Sequence, residues 1–340
     1  MALKVVTEGG TFLLLLLLLL PLFLLFILKN LKSSRPPKTP PLPPGPKPWP
    51  VIGNILHVGK KPHLTLTSFA QTYGPLVSLR LGAQTLVVGS SSAAEMEILK
   101  THDRVLSGRS VPFVSPAKSL EMNHISISWS FECNENWKYL PTLCRTELFS
   151  GAALEFQACL RETKVMDMVK YLSGMEGKVE LLTAGTDTSA STIEWAMAEL
   201  MKSAECMTKV HEELVREAGQ DLPKESQLSQ LTYLQVCVKE SLRLHPPTPL
   251  MLPHRALDSC QVMNYTVPKN AQLVVNVWAI GRDPMSWEDP LKFKPERFLS
   301  STLDFKGNDF EFLPFGAGRR ICPGLPMAAR HVPLVLASFV

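Results

Sequence analysis

Cys322 stands in Phe315-Gly-Ala-Gly-Arg-Arg-Ile-Cys-Pro-Gly324, with glycines at 316, 318 and 324 and arginines at 319 and 320. Cysteine binds metal as the thiolate, and a thiolate persists only in a positive environment. Arg319 and Arg320 supply charge just upstream. Pro323 predicts the first position of a helix, which places Cys322 at an N-terminus whose free N–H groups and dipole favour negative charge. Glycines without side chains let backbone approach a flat ligand closely. A single thiolate with an open side is a ligand set for a haem iron. By residue type alone a lone cysteine is a small buried hydrophobe, so the ten-residue pattern carries the reading.

Other residues could serve the same chemistry. In Ala184-Gly-Thr-Asp-Thr-Ser189 an acid and an alcohol, Asp187 and Thr188, adjoin and could relay protons. Gly185 would let their helix pass against a planar ligand. Glu240 and Arg243 are three apart, hence on one helix face. Alone, such a pair is a surface ion pair of little worth.

These residues need elements to hold them. The chain has 340 residues, 45% of them hydrophobic, which is enough for a sizeable core. A net charge of +4, unclustered apart from the N-terminal flank, gives no sign of a nucleic-acid partner. Seven cysteines without any Cys-x-x-Cys spacing argue against a disulfide framework or a zinc site and fit a reducing compartment. Residues 12–28 are 17 apolar residues interrupted only by Pro21 and are followed by Lys29, Lys32, Arg35 and Lys38. That pattern predicts a single uncleaved transmembrane helix with the downstream body held in the cytosol, residues 1–34 forming anchor and basic flank. Residues 35–50 carry nine prolines and predict a stiff extended hinge before a body at 51–340. Residues 76–81 and 85–88, split by Gly82, predict a hairpin. Ser92 and Glu95 have capping-box spacing for a following helix, and 111–136 reads as loop. Trp137 opens a helical stretch that contains Pro141, a helix breaker. Helices are predicted near 193–200, 202–219 and 231–244, the last ended by Pro246-Pro247. The β-branched run 265–280 predicts strands, and 248–252 an apolar extended strip. Asn264-Tyr-Thr266 is formally a glycosylation acceptor that a cytosolic body would leave unmodified.

The stretch around Cys322 resembles the haem-binding signature of the cytochrome P450 family, Phe-x-x-Gly-x-Arg-x-Cys-x-Gly, matched by Phe315, Gly318, Arg320, Cys322 and Gly324. The resemblance covers nearly all of 36–340. It implies a mainly α fold with small β-sheets, here incomplete, and haem b held by Cys322 as axial ligand. Asp187 and Thr188 fall at the acid and alcohol positions of the oxygen-activating helix. Glu240, Arg243 and Arg297, the last in Pro295-Glu-Arg-Phe298, fall on a structural charge triad. Trp137 begins the family's Trp-x-x-x-Arg, whose tryptophan and arginine both reach a haem propionate. Pro141 replaces that arginine, Arg145 lies one turn on, and His254 stands where relatives often place another propionate arginine. The family takes electrons from NADPH through a separate NADPH-cytochrome P450 reductase in the endoplasmic-reticulum membrane, and this chain shows no Gly-x-Gly-x-x-Gly fingerprint of its own. Pro253-His-Arg-Ala256, Tyr265-Thr-Val-Pro-Lys269 and Phe305-Lys-Gly-Asn-Asp309 are similar to stretches of plant alkaloid hydroxylases of the N-methylcoclaurine 3'-hydroxylase kind, which implies a small benzylisoquinoline-type substrate. Terpenoid hydroxylases of a neighbouring plant family are the alternative. Relatives have several lid helices where this chain has only nine positions between 172 and 181, and terminal strands beyond Val340. A catalytically impaired, membrane-tethered splice or truncation product is therefore a further expectation.

Overall fold

Leu76–Leu81 and Gln84–Gly89 form the expected hairpin, β1 and β2, with Gly82 in the left-handed conformation at its turn. The computed structural model describes residues 20–21, 40–110, 130–173, 187–219 and 221–340. Of the apolar run at 12–28 only 20–21 are described, in helical conformation; the rest of the expected anchor lies outside the described residues. Among the described residues no helix is long and apolar enough to cross a membrane. Much of the 111–136 loop and the start of the 184–189 motif, Gly185 included, also lie outside them.

His254–Arg255 (β3) and Gln272–Val275 (β6) complete a four-stranded sheet in the order β1-β2-β6-β3, while Cys260–Val262 (β4) and Tyr265–Val267 (β5) pair as a separate hairpin. β2 and β6 run parallel, and their valines 87, 88, 274 and 275 are buried, as a strand covered on both faces requires. The β-branched run does not stay extended to residue 280, because Asn276 caps a short helix, Val277–Ile280. The predicted strip at 248–252 is not extended either. Met251 N–H donates to the Thr248 carbonyl and Met251 takes a positive φ, so this segment turns.

The compact body begins at Leu42. The proline-rich hinge is therefore docked over its second half: the Pro43 and Pro44 carbonyls accept from the Ser78 hydroxyl at 2.6 Å and the Ser78 N–H at 2.9 Å. A Cβ on Gly45 would come within 2.0 Å of the Ser78 carbonyl oxygen, so only glycine fits there.

The helical layer consists of Asp187–Lys202, Ala204–Ala218, Thr232–Leu244 and Leu325–Ala337, packed on one another. Leu200, Val210, Leu234, Cys237 and Leu334 form its fully buried centre. Ser203 breaks the first two helices apart and caps the second by accepting from the Cys206 N–H.

The capping box expected at Ser92 and Glu95 is not present. Ser91 is the N-cap, accepting from Ala94 N–H at 3.2 Å, and Glu95 therefore turns inward. Its side chain is fully buried with neither carboxyl oxygen hydrogen-bonded, and burial alone holds its pKa well above the usual range. A group of this kind is retained protonated. Its raised folded pKa means the folded state binds the extra proton, so stability falls as pH rises from the ordinary value of about 4.3 toward the raised one, by about 1.4 kcal/mol per pH unit. Glu95→Met is expected to remove that slope and to stabilise the protein by about 1–3 kcal/mol near neutral pH. Urea midpoints of both proteins between pH 5 and 8 check this, and parallel curves would refute it.

Candidate cofactor site

The loop bearing Cys322 is folded tightly by its own backbone. Gly316 N–H donates to Leu313 O, Ile321 N–H to Gly318 O, and Cys322 N–H to Phe315 O at 2.9 Å. Gly318 has φ +66, and a Cβ there would lie 2.0 Å from the Leu99 carbonyl oxygen, so the loop is seated directly on the 92–106 segment. Leu313 and Ala317 pack with Ile98, Leu99 and Leu106 in one cluster. Phe315 faces the other way, its ring 5.4 Å from that of Phe305.

The helix after the cysteine starts two residues later than Pro323 predicts: Gly324 is the N-cap of Leu325–Ala337, with Pro326 in its first turn. Cys322 is thus ahead of the helix and solvent-accessible, and burial by the surrounding protein holds its thiol above the usual range, offset only in part by the N–H groups of Gly324 and Leu325. The arginines do not supply its positive environment. Arg319 pairs with Asp103 at 3.1 Å, and Arg320 turns away to donate to the carbonyls of Ser107 and Ser130. These two N–H groups do not outweigh burial, so a thiolate at this position needs the positive charge of a bound metal ion.

Arg320 leads to a second cluster. Its guanidinium lies over the buried Trp137 ring, 4.6 Å from the centroid, where Asn134 caps the Glu135–Leu143 helix. Pro141 does not break that helix, which runs on into a wide turn at Cys144–Leu148 that leaves Arg145 exposed. The residue sequence reasoning missed is Arg109. It is 3% exposed, donates to the Leu252 carbonyl at 2.6 Å and leaves its Nε buried without a partner. Burial and the neighbouring Arg320 pull Arg109 down to about 9, opposed only by Cys133. His254 adjoins both arginines; burial first, and then Arg109, pull it down to about 3. It is neutral, and its Nδ1, 2.8 Å from the Leu106 carbonyl, must carry the hydrogen. Among the described residues no carboxylate contributes to the shift of Arg109 or His254. The buried Arg109, whose Nε has no hydrogen-bond partner among the described residues, suits a ligand that brings its own anions.

Asp187 and Thr188 open the Asp187–Lys202 helix and are both exposed; among the described residues no hydrogen bond or ion pair joins either to the Cys322 loop. Glu240, Arg243 and Arg297 come together. The fully buried Glu240 carboxylate accepts from Arg243 at 2.7 and 2.8 Å, from Arg297 Nε at 3.1 Å and from the Lys294 N–H at 2.9 Å.

A mainly helical body with a small sheet, carrying an accessible cysteine on a glycine-shaped loop and, beside the loop, the buried Arg109, is the arrangement of a haem-thiolate protein. The cytochrome P450 family model matches residues 43–179 and 175–340, and the chain belongs to that family, an enzyme of the cytochrome P450 monooxygenase class. It is 42% identical to a probable (S)-N-methylcoclaurine 3'-hydroxylase isozyme 2 of Coptis japonica over 417 aligned positions, covering 87% of this chain and 85% of that protein. It is 40% identical to (S)-N-methylcoclaurine 3'-hydroxylase isozyme 1 of Papaver somniferum, with 87% and 86% covered. Against corytuberine synthase of Coptis japonica the identity is 36%, again covering 87% and 86%. A zebra fish cytochrome P450 structure with progesterone shares the fold at a TM-score of 0.67 and 20% identity, covering 81% of this chain and 91% of that one. The 417 positions aligned to the first relative exceed this chain's 340 residues, so the alignment passes over positions that this chain lacks.

Proposed function

We propose that the chain is a haem-thiolate monooxygenase acting on a benzylisoquinoline-type alkaloid. Oxygen, NADPH and a proton are consumed, one oxygen atom enters a C–H bond as hydroxyl, and the other leaves as water. The observation that carries this reading is Cys322, solvent-accessible on a loop that Gly316 and Gly318 shape in the left-handed conformation and that its own N–H closes on the Phe315 carbonyl. Haem b, when bound, supplies the oxygen-activating iron, and the chain's residues hold it and manage protons. Cys322 would hold the iron through its thiolate. Arg109, Arg320 and Trp137 would hold the carboxylates of the haem. His254 takes up a proton when an anion sits beside it, since its Nδ1–H is already engaged and only a protonated Nε2 can donate. Asp187 and Thr188 would move protons to the bound oxygen. Electrons come from NADPH through a separate reductase in the endoplasmic-reticulum membrane, where residues 12–28 anchor the chain with its body in the cytosol. The names of the 40–42% identical relatives support the alkaloid class over terpenoids.

The two-part family match, meeting at 175–179, favours a second reading, a chain whose lid is shortened there and whose turnover is impaired. Oxygen activation needs water excluded and substrate held, functions that moving lid segments provide. Reductase-supported assays with N-methylcoclaurine and a monoterpenol decide between the readings. Alkaloid product at about 1 per second or faster supports the first. A thiolate-type reduced carbon-monoxide spectrum without product supports the second, and absence of both spectrum and product overturns both.

Arg109 and Pro141 make opposite predictions for haem retention. Leaving a buried charge unpaired costs about 2–5 kcal/mol, so Arg109→Ala is expected to speed haem transfer to an apoglobin acceptor about 30-fold or more. Pro141→Arg is expected to slow it. Equal transfer rates in wild type and Arg109→Ala would remove Arg109 from the site.

Topology has its own readout. Asn264 is exposed at the β4–β5 turn, where it takes φ +67. In microsomes it should stay unglycosylated and the body protease-accessible from outside; a glycan on Asn264 would reverse the orientation.

A further inference from the structure

Cys133 is set among arginines. Its sulfur lies 4.0 Å from the Ser107 carbonyl oxygen, and Arg320 Nε donates to that same oxygen at 3.0 Å, so thiol and guanidinium meet at one acceptor. The backbone just before the cysteine binds arginines as well. The Ser130 carbonyl accepts from Arg320 Nη2 at 2.7 Å, and the Phe131 carbonyl accepts from the Arg109 N–H at 3.2 Å. The Phe131 ring lies under a third guanidinium, that of Arg255, 5.3 Å from the ring centroid. The Nε atoms of Arg109 and Arg255 are both buried without a hydrogen-bond partner among the described residues. The sulfur is near enough to oppose the burial that pulls Arg109 and Arg320 down. The acids next to it in sequence, Glu132 and Glu135, are exposed, and Glu135 is engaged by Lys138 at 2.5 Å.

Cys133 is only half-buried, so a small molecule can reach it. Attack by a cysteine develops negative charge on sulfur, and adjacent guanidiniums stabilise that charge. Carboxylates carried by the incoming molecule meet the buried Arg109. Together these features select an electrophile that brings its own carboxylates. Cys159 offers a contrast on the Ala158–Ser173 helix: it is exposed, and the next arginine in sequence, Arg161, is already taken up by both oxygens of Glu225 at 2.6 and 2.7 Å.

We infer that Cys133 is a thiol-modification site for an anionic disulfide of the glutathione class, and that the adduct closes the arginine cluster to the carboxylates of haem. The closure rests on the haem reading above. In the exchange, the Cys133 thiol gives up its proton and its sulfur attacks one sulfur of the disulfide. The S–S bond breaks, a mixed disulfide forms at Cys133, and the second glutathione leaves as thiolate and takes up the proton. Cys133 is oxidised and the departing sulfur is reduced. A reducing thiol reverses the step, so haem loading answers to the redox state of the compartment.

To test it, the full chain without haem is treated with glutathione disulfide or with cystamine, which carries the same S–S bond between two cations, and adducts are mapped by peptide mass. Glutathione disulfide is expected to react at Cys133 at least about tenfold faster than cystamine, with no such preference at Cys159. Arg109→Gln should lose most of the preference. The treated chain is then offered haem. Uptake should fall about tenfold and recover with dithiothreitol. The same treatment should leave uptake unchanged in Cys133→Ser, which separates this adduct from one on the exposed Cys322. Equal rates with the two disulfides at Cys133, or a block that persists in Cys133→Ser, overturn the inference. A chain that takes up no haem even when reduced counts against the haem reading, and the charge preference at Cys133 then decides the thiol site by itself. Equal uptake with and without the Cys133 adduct counts against the closure alone.

Discussion

Cys322→Ala is expected to abolish the thiolate signature in the reduced carbon-monoxide difference spectrum, while Cys237→Ala leaves it in place. The two cysteines differ in their surroundings. Cys237 is wholly buried, and burial together with the neighbouring Cys206 pushes its thiol far up. Cys322 is accessible, and two N–H groups oppose the burial that raises it. A metal ion deprotonates a coordinating thiol outright, and of the two cysteines Cys322 is the one that a metal ion can reach. Haem content measured separately by pigment extraction distinguishes loss of the ligand from loss of the cofactor. Cys322→His supplies a different axial donor and should retain haem with an altered spectrum. A wild-type spectrum in Cys322→Ala would discard the assignment.

Glu240→Ala should be the most destabilising single change in the body. One carboxylate with no exposed surface accepts four hydrogen bonds, three of them from two guanidiniums, and Arg243 continues to the carbonyls of Gly281, Pro290 and Lys292. Removing it leaves Arg243, itself 2% exposed, and the largely buried Arg297 without a counter-charge. Breaking a buried pair from one side costs about 3–5 kcal/mol, against a total stability of about 5–15 kcal/mol for a typical protein. Soluble yield should collapse, and the surviving fraction should unfold at markedly lower urea. A midpoint within about 0.5 kcal/mol of wild type would show the triad to be dispensable.

What could be read from the sequence was what is local. The Cys322 loop is set by glycines and a proline within ten residues, and Glu240 with Arg243 by one helical turn. The hairpin at 76–89 follows from alternation around a glycine. Arg109 was invisible because its partners, Leu252, His254 and Arg320, are more than 140 residues away and only the fold collects them. Glu95 was misread through a shift of one residue. With Ser91 rather than Ser92 as cap, the position that should reach back to the helix start faces the core instead. The role expected of Arg319 and Arg320 failed differently: adjacency in sequence said nothing about direction, and each guanidinium found oxygens on the 103–130 segment before it could reach sulfur.

The prolines docked along β1 have a bearing on how this protein survives in a crowded compartment. β1 is the outermost strand of its sheet, and an open strand edge is a template on which other chains can add. The 43–46 segment occupies that edge through the Pro43 and Pro44 carbonyls, yet proline has no N–H with which to continue a ladder. The segment therefore takes up the Ser78 N–H, Asn54 takes up the N–H and carbonyl of Arg80, and no proline N–H is offered for a further strand. It terminates the sheet, and so protects each molecule against fibrous self-association while it waits for its cofactor.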